Sequence, residues 1–167
     1  MLVDWLPWSH TFGGNCCFNI VLYFGGTLHI DDGRPLPGHI DRTVATLRRH
    51  RPTAYFNVPA GYEALLPFLD ADHAFAAAFF GPLDVVFNAG AALPERLRTR
   101  LETLAHTVTE NPPPIVGGWG STETAPFSTL LYHDTSHAAN LGAPLPRTTV
   151  KLVPRADSFE LRVRGPM

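Results

Sequence analysis

Residues 117–126 read Gly117-Gly118-Trp119-Gly120-Ser121-Thr122-Glu123-Thr124-Ala125-Pro126, directly after the apolar pair Ile115-Val116. The glycines allow a sharp turn and let a ligand come close to the backbone. Trp119 offers a flat ring face, and Glu123 is a hard oxygen ligand suited to Mg²⁺ held between protein and phosphate. The segment also carries three hydroxyl side chains that suit phosphate oxygens: Ser121, Thr122 and Thr124. It therefore predicts a nucleotide site; the alternative is a strand end followed by a tight turn with a capping Ser or Thr.

The segments that precede this stretch alternate between strand-like and helix-like patterns. The predicted strands are Leu2–Leu6, Thr27–Ile30, Thr53–Val58, Leu83–Phe87 and Ile115–Val116. Between them, apolar residues predict five helices. The first two are carried by the apolar run Phe12 to Leu22 and by Ile40, Val44 and Leu47. The other three are carried by Tyr62, Leu65, Leu66 and Leu69 after Pro59, by Ala74 to Phe80, and by Leu93, Leu97, Leu101 and Leu104. Arg96, Arg98 and Arg100 are expected on the other faces of the last helix. This order predicts an α/β fold with a mainly parallel sheet and flanking helices.

The end of the chain has a different pattern. Residues 125–145 show no clear period and are expected to form a long ordered loop. Thr149–Val153 and Phe159–Val163 then alternate like the two strands of an antiparallel β-hairpin. We therefore expect one partial domain over residues 1–167, with an α/β part at 1–146 and a small β element at 147–167.

The composition of the 167 residues excludes several classes of protein. Hydrophobic residues make up 45% and charged residues 17%, as in soluble globular chains. The formal net charge of -2 implies no general attraction to nucleic acid or to an anionic membrane. No apolar run is long enough to span a bilayer and no signal peptide is visible, so a cytoplasmic location is expected. Cys16 and Cys17 are adjacent, and we expect two reduced thiols on a buried helix.

Five segments, in order, resemble the adenylate-forming enzymes, which include the acyl-CoA synthetases. Gly118 to Thr124 resembles their Tyr-Gly-x-Thr-Glu signature, with Trp119 in place of the more frequent Tyr. The other segments are Leu6-Pro7-Trp8-Ser9-His10-Thr11-Phe12-Gly13, Asn88-Ala89-Gly90-Ala91-Ala92-Leu93-Pro94, Leu141-Gly142-Ala143-Pro144-Leu145-Pro146 and Glu160-Leu161-Arg162-Val163-Arg164-Gly165-Pro166. The form Leu-Pro-Trp-x-His, with Gly26-Thr27-Leu28 and Asp31-Asp32-Gly33 after it, is most similar to the feruloyl-CoA synthetase branch. Together the matches cover nearly the whole chain.

The resemblance implies an ATP-dependent reaction of a carboxylic acid, expected to be aromatic and of the hydroxycinnamate type. The acid is joined to AMP with release of pyrophosphate, and CoA then displaces AMP to give a thioester. The implied cofactors and partners are ATP or AMP, Mg²⁺, CoA and a small carboxylic acid, together with the remainder of a parent enzyme.

The resemblance also implies roles for individual residues. The expected catalytic residues are Thr122 at the α-phosphate, Glu123 at Mg²⁺ and His10 beside the reacting acid. The expected nucleotide contacts are Gly90, Ala91, Ala92, Gly118, Trp119, Gly120 and Thr122. An acyl pocket is expected from Trp8, His10 and Phe12.

Parts of the family pattern are not found in these 167 residues. The glycine- and hydroxyl-rich phosphate loop expected before His10 is missing, as are the aspartate and arginine expected after Pro166 and the C-terminal domain with its catalytic lysine. Lys151 is the only lysine among the 13 basic residues. We therefore expect the chain to be the middle of a larger enzyme and to be inactive alone.

Other functions are compatible with parts of the sequence. One is a non-catalytic nucleotide-binding module of the same fold. Another is a hydrolase with Ser121 as nucleophile and His29 or His106 as base, but the Gly-x-Ser-x-Gly elbow is absent. His133 and His137 could bind a metal ion as a pair four residues apart, but only on a helix, and this stretch is predicted to be a loop.

Overall fold

The computed structural model describes residues 1–131 and 140–166. The strands are β1 (Leu2–Asp4), β2 (Leu28–Ile30), β3 (Ala54–Asn57), β4 (Val85–Asn88), β5 (Ile115–Trp119), β6 (Thr129–Leu130), β7 (Ala143–Pro144), β8 (Thr149–Pro154) and β9 (Phe159–Arg164). A π-helical segment (Phe12–Phe18) runs directly into α1 (Asn19–Phe24), and the other helices are α2 (Ile40–Arg49), α3 (Pro59–Ala71), α4 (His73–Phe80) and α5 (Glu95–Val108). A single 3₁₀ turn spans Thr122–Thr124. The predicted α/β fold is confirmed.

The central sheet is mixed and has the strand order β3-β4-β5-β6-β7. Strands β3, β4 and β5 are parallel. Their register places Asn57 and Asn88, the last residues of β3 and β4, next to each other, and Asn88 next to Gly117 in the middle of β5. Strands β6 and β7 extend the sheet in the antiparallel sense. Strands β1 and β2 form a separate parallel pair.

The three parallel strands bury side chains on both faces. On one face, Tyr55, Val86 and Ile115 share a core with the apolar stripes of α2, α3, α4 and α5. On the other face, Phe56, Phe87 and Val116 pack with the π-helical segment and α1. Burial on both faces is typical of parallel sheets and explains the near-continuous apolar character of these strands.

One side chain ties a helix to the sheet next to the strand ends. The hydroxyl of Tyr62 on α3 lies 2.7 Å from the carbonyl oxygen of Phe87 and 3.2 Å from that of Tyr55. Tyr62 is fully buried. The contact fixes α3 against the ends of β3 and β4, from which the loops of the candidate site emerge.

The prediction of one long loop over residues 125–145 is wrong in the described part of that range. Strands β6 and β7 lie there, and Gly118 pairs with Leu130 while Thr129 pairs with Pro144. Each strand has only two residues, so neither produces a period that a sequence pattern can reveal. Strand β7 is an edge strand of the central sheet. Pro144 is tolerated there because the outer side of an edge strand needs no backbone N–H donor.

The C-terminal hairpin is confirmed. Strands β8 and β9 pair over their full length, from Thr149 opposite Arg164 to Pro154 opposite Phe159.

Cys16 and Cys17 are buried and free, as expected. A hydrogen bond to Cys16, together with burial, raises the pKa of the Cys17 thiol. Among the described residues, no helix is long and apolar enough to cross a membrane.

Candidate active site at the carboxyl ends of the parallel strands

The loops that follow β4 and β5 meet at one edge of the sheet. After Asn88 the chain turns through Ala89 and Gly90, where Gly90 has φ +82°, a conformation that favours glycine. After β5 the chain enters Gly120 and the 3₁₀ turn. Ligands of parallel α/β sheets bind at this edge, outside the carboxyl ends of the strands.

The first cleft at this edge, here called the tryptophan cleft, has a volume of about 360 Å³. Every residue of the predicted nucleotide set except Thr122 lines it: Gly90, Ala91, Ala92, Gly118, Trp119 and Gly120. Asn88 and Arg98 also line it and were not predicted. The structure thus brings together two segments that lie about thirty residues apart in the sequence.

Arg98 differs from its sequence-based expectation. It was predicted on a polar face of α5 with Arg96 and Arg100, but its side chain is buried and its Nε lies 2.7 Å from Oε1 of Glu102. Arginines at every second position, as at Arg96, Arg98 and Arg100, are typical of a solvated helix face. Nothing in the sequence therefore indicates that Arg98 is buried while its neighbours are exposed. Asn88 gives a weak signal, because it ends a strand next to the predicted Gly90 turn.

The second cleft, here called the histidine cleft, has a volume of about 260 Å³. It brings together the three residues predicted to be catalytic, His10, Thr122 and Glu123, although His10 lies more than one hundred residues before the other two. Phe12 and Phe127 form part of its apolar wall.

The two clefts share one wall made of three glycines. Gly90, Gly118 and Gly120 line both the tryptophan cleft and the histidine cleft. There is no room for a side chain at Gly120, because a Cβ atom there would lie 1.9 Å from the carbonyl oxygen of Pro126. A ligand with one end in each cleft would therefore pass over bare backbone.

His10 is held in one orientation by the chain that follows it. The backbone N–H of Phe12 donates a hydrogen bond to Nδ1 of His10, 3.1 Å away. A ring nitrogen that accepts a hydrogen bond carries no proton, so the neutral ring has its proton on Nε2. The imidazole thereby caps the start of the π-helical segment and offers an N–H donor from its other nitrogen.

The 3₁₀ turn holds its polar side chains by reciprocal capping. The backbone N–H of Ser121 donates to Oγ1 of Thr124 at 2.7 Å, and the side chain of Ser121 accepts from the backbone N–H of Thr124. A bond from the Ser121 hydroxyl, assisted by the backbone N–H of Glu123, lowers the pKa of the Glu123 carboxyl below its ordinary value. Glu123 is therefore an ionised carboxylate at the rim of the histidine cleft.

The aromatic residues predicted for the acyl pocket separate in the structure. Phe12 is buried in a cluster of rings with centroid distances of 6.4 Å to Phe56, 6.1 Å to Phe87 and 6.0 Å to Phe127. Trp8 lines neither cleft; it is half exposed, and its ring centroid lies 5.2 Å from that of Phe18. The structure thus places His10 and Phe12 at the histidine cleft and Trp8 outside it.

The hydrolase alternative gains no support from these contacts. The Ser121 hydroxyl is engaged by Thr124 and Glu123, both within its own turn. His29 instead stacks on His50, with ring centroids 3.6 Å apart. His133 and His137, the alternative metal pair, lie outside the described residues.

The sequence profile of the AMP-binding enzyme family matches residues 2–166. This chain belongs to the AMP-binding enzyme family. The match includes both clefts and the hairpin, so the resemblance noted from five segments holds across the chain. A comparison with the sequences of curated proteins found no match.

Solved structures of acid–CoA ligases have the same fold as this AMP-binding chain. A benzoate CoA ligase from Burkholderia xenovorans matches with a TM-score of 0.78 at 22% identity, over 99% of this chain and 32% of its own length. A malonyl-CoA ligase with methylmalonyl-CoA and AMP bound matches with a TM-score of 0.69 at 27% identity, over 99% and 34%. A long-chain-fatty-acid–CoA ligase from Archaeoglobus fulgidus matches with a TM-score of 0.72 at 17% identity, over 99% and 34%. The AMP-binding chain thus spans about a third of the length of these proteins.

The donor set of the AMP-binding chain suits Mg²⁺ shared with a nucleotide. Glu123 is one ionised carboxylate beside the hydroxyl of Thr122 at the histidine cleft. In the described part of the chain, no group of three or more His, Cys, Asp or Glu side chains could hold a metal ion alone. Mg²⁺ is commonly held by one or two carboxylates together with substrate phosphates, and Glu123 fits that arrangement.

Proposed function

We propose that this chain is the central part of an ATP-dependent acid–thiol ligase, which activates a carboxylic acid as its acyl adenylate and transfers it to CoA. In this proposal residues 1–167 form a partial domain, with the α/β part at 1–146 and the β element at 147–167. The family profile over residues 2–166 and the solved acid–CoA ligases of the same fold support it.

The observation that carries the proposal is the glycine wall shared by the two clefts. An acyl adenylate has a purine at one end, an acyl group at the other and a phosphate between them. We assign the purine to the tryptophan cleft, against Trp119 and the backbone of residues 90–92. The acyl group is assigned to the histidine cleft, and the phosphate to their junction beside Thr122.

The chemistry has two steps. A carboxylate oxygen of the acid forms a bond to the α-phosphorus of ATP while the bond to pyrophosphate breaks, which gives the acyl adenylate. The thiol sulfur of CoA then forms a bond to the acyl carbon, the bond to AMP breaks, and the thiol proton is released.

The residues of this chain bind and orient the reactants in the first step. The Thr122 hydroxyl donates to an α-phosphate oxygen, where negative charge builds as the phosphorus is attacked. The Nε2–H of His10 donates to the acid, with its direction fixed by the Phe12 bond at Nδ1. Glu123 would hold Mg²⁺ together with phosphate oxygens, and bound Mg²⁺ neutralises charge on the phosphates.

An aromatic acid of the hydroxycinnamate type is the substrate class we propose. The inner wall of the histidine cleft is built from the rings of Phe12 and Phe127, which pack on Phe87 behind them. A flat, rigid acid can pack on these rings with little loss of conformational freedom, whereas a long flexible acyl chain must be ordered. The resemblance to the feruloyl-CoA synthetase branch supports the same class.

The test is ATP–pyrophosphate exchange by the enzyme that contains this chain, with ferulate, coumarate, benzoate and octanoate compared by kcat/KM. Exchange that depends on an acid, and product thioester on addition of CoA, is the expected result. The absence of exchange with every acid, combined with AMP binding, would favour the non-catalytic module. A preference for octanoate would contradict the substrate class and leave the reaction in place.

A further inference from the structure

The loop that carries His10 to the histidine cleft folds back on the π-helical segment that follows it. Two glycines, Gly13 and Gly14, lie near the start of that segment. A Cβ atom at Gly13 would lie 2.6 Å from the carbonyl oxygen of Pro7, and one at Gly14 would lie 2.3 Å from that of Trp8. Non-bonded heavy atoms are in contact at about 3.5 Å, so neither position has room for a side chain.

The close approach of the loop explains why glycine stands at both positions. Within a helical segment alanine would otherwise be favoured, because glycine is a poor helix former. The atoms that a methyl group would meet belong to the backbone of the loop, which cannot turn aside as the end of a flexible side chain can. Gly26 is different, since a Cβ atom there would lie 3.7 Å from its nearest neighbour, Cγ1 of Val21, which is an ordinary contact.

The backbone of His10 is held on both sides by this fit. Its N–H donates a hydrogen bond to the carbonyl oxygen of Pro7 at 3.0 Å, and its carbonyl oxygen accepts one from the N–H of Gly14 at 2.9 Å. The Pro7 oxygen in the first bond is also the atom that a side chain at Gly13 would displace. The bond from Phe12 N–H to Nδ1 then fixes the ring. Both the backbone and the imidazole of His10 therefore depend on how the loop lies on the segment.

Trp8 attaches the same loop from the outside. Its ring lies against that of Phe18, with centroids 5.2 Å apart and an angle of 52° between the planes. Phe18 lies four residues after Gly14, so the carbonyl group and the ring of Trp8 contact the segment about one turn apart. Trp8 lines neither cleft, and its contacts are those of a residue that holds the loop in place.

We propose that Trp8, Gly13 and Gly14 are positioning residues: they hold the loop on the π-helical segment so that the Nε2–H of His10 points at the acid. This role rests on the proposed function, in which His10 donates to the acid in the histidine cleft. None of the three touches a substrate in this assignment. A misplacement of the imidazole by about 1 Å is enough to slow the reaction about 100-fold.

The first readout needs no substrate and uses the enzyme that contains this chain. Trp8→Ala removes the ring, Trp8→Phe keeps an aromatic ring, and Gly14→Ala adds one methyl group. The matched controls are Tyr23→Ala, which removes an exposed ring of α1, and Gly26→Ala, which adds a methyl group where there is room. The nitrogen chemical shifts of His10, recorded at about pH 9 where an imidazole is neutral, show which ring nitrogen carries the proton.

In the wild type we expect the ratio of the Nε2–H form to the Nδ1–H form to exceed that of free histidine by about tenfold, because Nδ1 accepts a bond. Gly14→Ala and Trp8→Ala should return the ratio toward that of free histidine. Trp8→Phe and both controls should keep the wild-type ratio. A wild-type ratio equal to that of free histidine would overturn the proposal, as would an unchanged ratio in Trp8→Ala. Trp8→Ala changes a half-exposed ring, so it decides the matter even if Gly14→Ala does not fold.

The second readout is kinetic. Trp8→Ala and Gly14→Ala should lower kcat/KM for the acid by about 10- to 100-fold and leave the Kd for AMP within about twofold. In a His10→Ala background each should add less than about twofold, because changes that act through one group are not additive. Losses that multiply in that background, or an equal loss of AMP affinity, would show a general defect and overturn the positioning role.

The two proposals can fail separately. If the wild-type enzyme shows no ATP–pyrophosphate exchange with any acid, the proposed function fails, while the ratio of the two forms of His10 still decides whether the loop is held as proposed. If exchange occurs and the ratio does not respond to Trp8→Ala, the proposed function stands and the positioning role is wrong.

Discussion

The backbone N–H of Phe12 donates a hydrogen bond to Nδ1 of His10, and the two atoms are 3.1 Å apart. This contact makes His10 both a cap for the segment that follows it and a side chain of fixed direction at the histidine cleft. The two nitrogens of the ring therefore have different roles. Nδ1 accepts the bond that caps the π-helical segment, whereas binding of the acid, as proposed, needs the N–H donor at Nε2.

The two roles of His10 can be separated by substitution. His10→Asn can keep an acceptor for the Phe12 N–H but does not extend a donor into the cleft. We expect it to unfold at nearly the wild-type temperature and to lower kcat/KM for hydroxycinnamates by about 10- to 100-fold, the usual effect of losing a bond to a charged group. His10→Ala should lose both roles, and His106→Ala, an exposed position on α5, serves as the control. Wild-type kinetics in His10→Asn would contradict a contact with the acid.

Glu123→Gln keeps the shape of the side chain and removes its charge. We expect a loss of at least about 100-fold in ATP–pyrophosphate exchange, since a metal ion at the phosphates is worth several kcal/mol. The loss should be deepest at limiting Mg²⁺. Glu110→Gln, at an exposed residue outside both clefts, should be neutral. An unchanged exchange rate of Glu123→Gln at limiting Mg²⁺ would contradict the proposal that Glu123 binds the metal ion.

Trp119 is predicted to act through its ring face. Trp119→Tyr should weaken AMP binding by less than about threefold, because a tyrosine also presents a flat ring. Trp119→Ala should weaken it by about 10- to 100-fold, the range measured when an aromatic that stacks on a base is truncated. Calorimetric titration with AMP checks both. Equal affinities of Ala and Tyr variants would show that the base lies elsewhere.

The isolated chain of 167 residues is predicted to show no ATP–pyrophosphate exchange. It spans about a third of the solved acid–CoA ligases of the same fold and carries one lysine, Lys151, in the hairpin. The measurement uses the purified chain with hydroxycinnamate, benzoate and fatty-acid panels. Robust exchange with any of them would show that the two clefts suffice for the chemistry.

Asp4 should make the stability of the chain depend on pH. Burial raises its pKa to about 6, with a smaller contribution from the neighbouring charge of Asp31. The folded protein therefore binds a proton that the unfolded chain has already lost between pH 4 and 6, so the free energy of unfolding falls as pH rises through this window. The difference of about two pH units corresponds to about 3 kcal/mol at most.

Asp4→Asn tests this expectation, because its side-chain oxygen can still accept the bond that Leu6 N–H gives to Oδ1 of Asp4 at 2.9 Å. The variant should gain stability relative to wild type as pH rises from 4 to 7, measured by urea unfolding at each pH. A constant difference between the two proteins over this range would contradict the raised pKa. Asp84→Asn, at an exposed aspartate, is the reference.

The parts of the fold that the sequence predicted are those with a repeating apolar pattern. Of the predicted repeat Leu93, Leu97, Leu101 and Leu104, the first three are buried in the core and Leu104 is partly buried against it. The hairpin was predicted from two five-residue segments, Thr149–Val153 and Phe159–Val163, and each strand is one residue longer in the structure. Strands β6 and β7 have two residues each, too few for any period, and so they were missed.

The candidate site was predicted as a set of residues but not as a shape. Gly90 and Gly118 were both predicted to contact the nucleotide, and the structure places them on the same wall. No pattern could fix the direction of Trp8, whose ring lies against Phe18 rather than at the cleft, because the direction of a side chain in a turn depends on backbone angles. Thr124 was read as a phosphate ligand from its chemistry, and only its contacts reveal that its hydroxyl is already engaged.

The wall of Gly90, Gly118 and Gly120 has a consequence for how substrate preference can change. A methyl group at Gly118 would meet Phe127 and Phe87 within about 3 Å, so it would disturb the cleft proposed for the acyl group as well as the cleft proposed for the purine. Substitutions in this wall should therefore alter the affinities for nucleotide and acid together, so that one affinity could not change without the other. A substitution that changes the preference among acids without weakening ATP binding would have to lie at a residue that lines only the histidine cleft, such as Ala89 or Phe127.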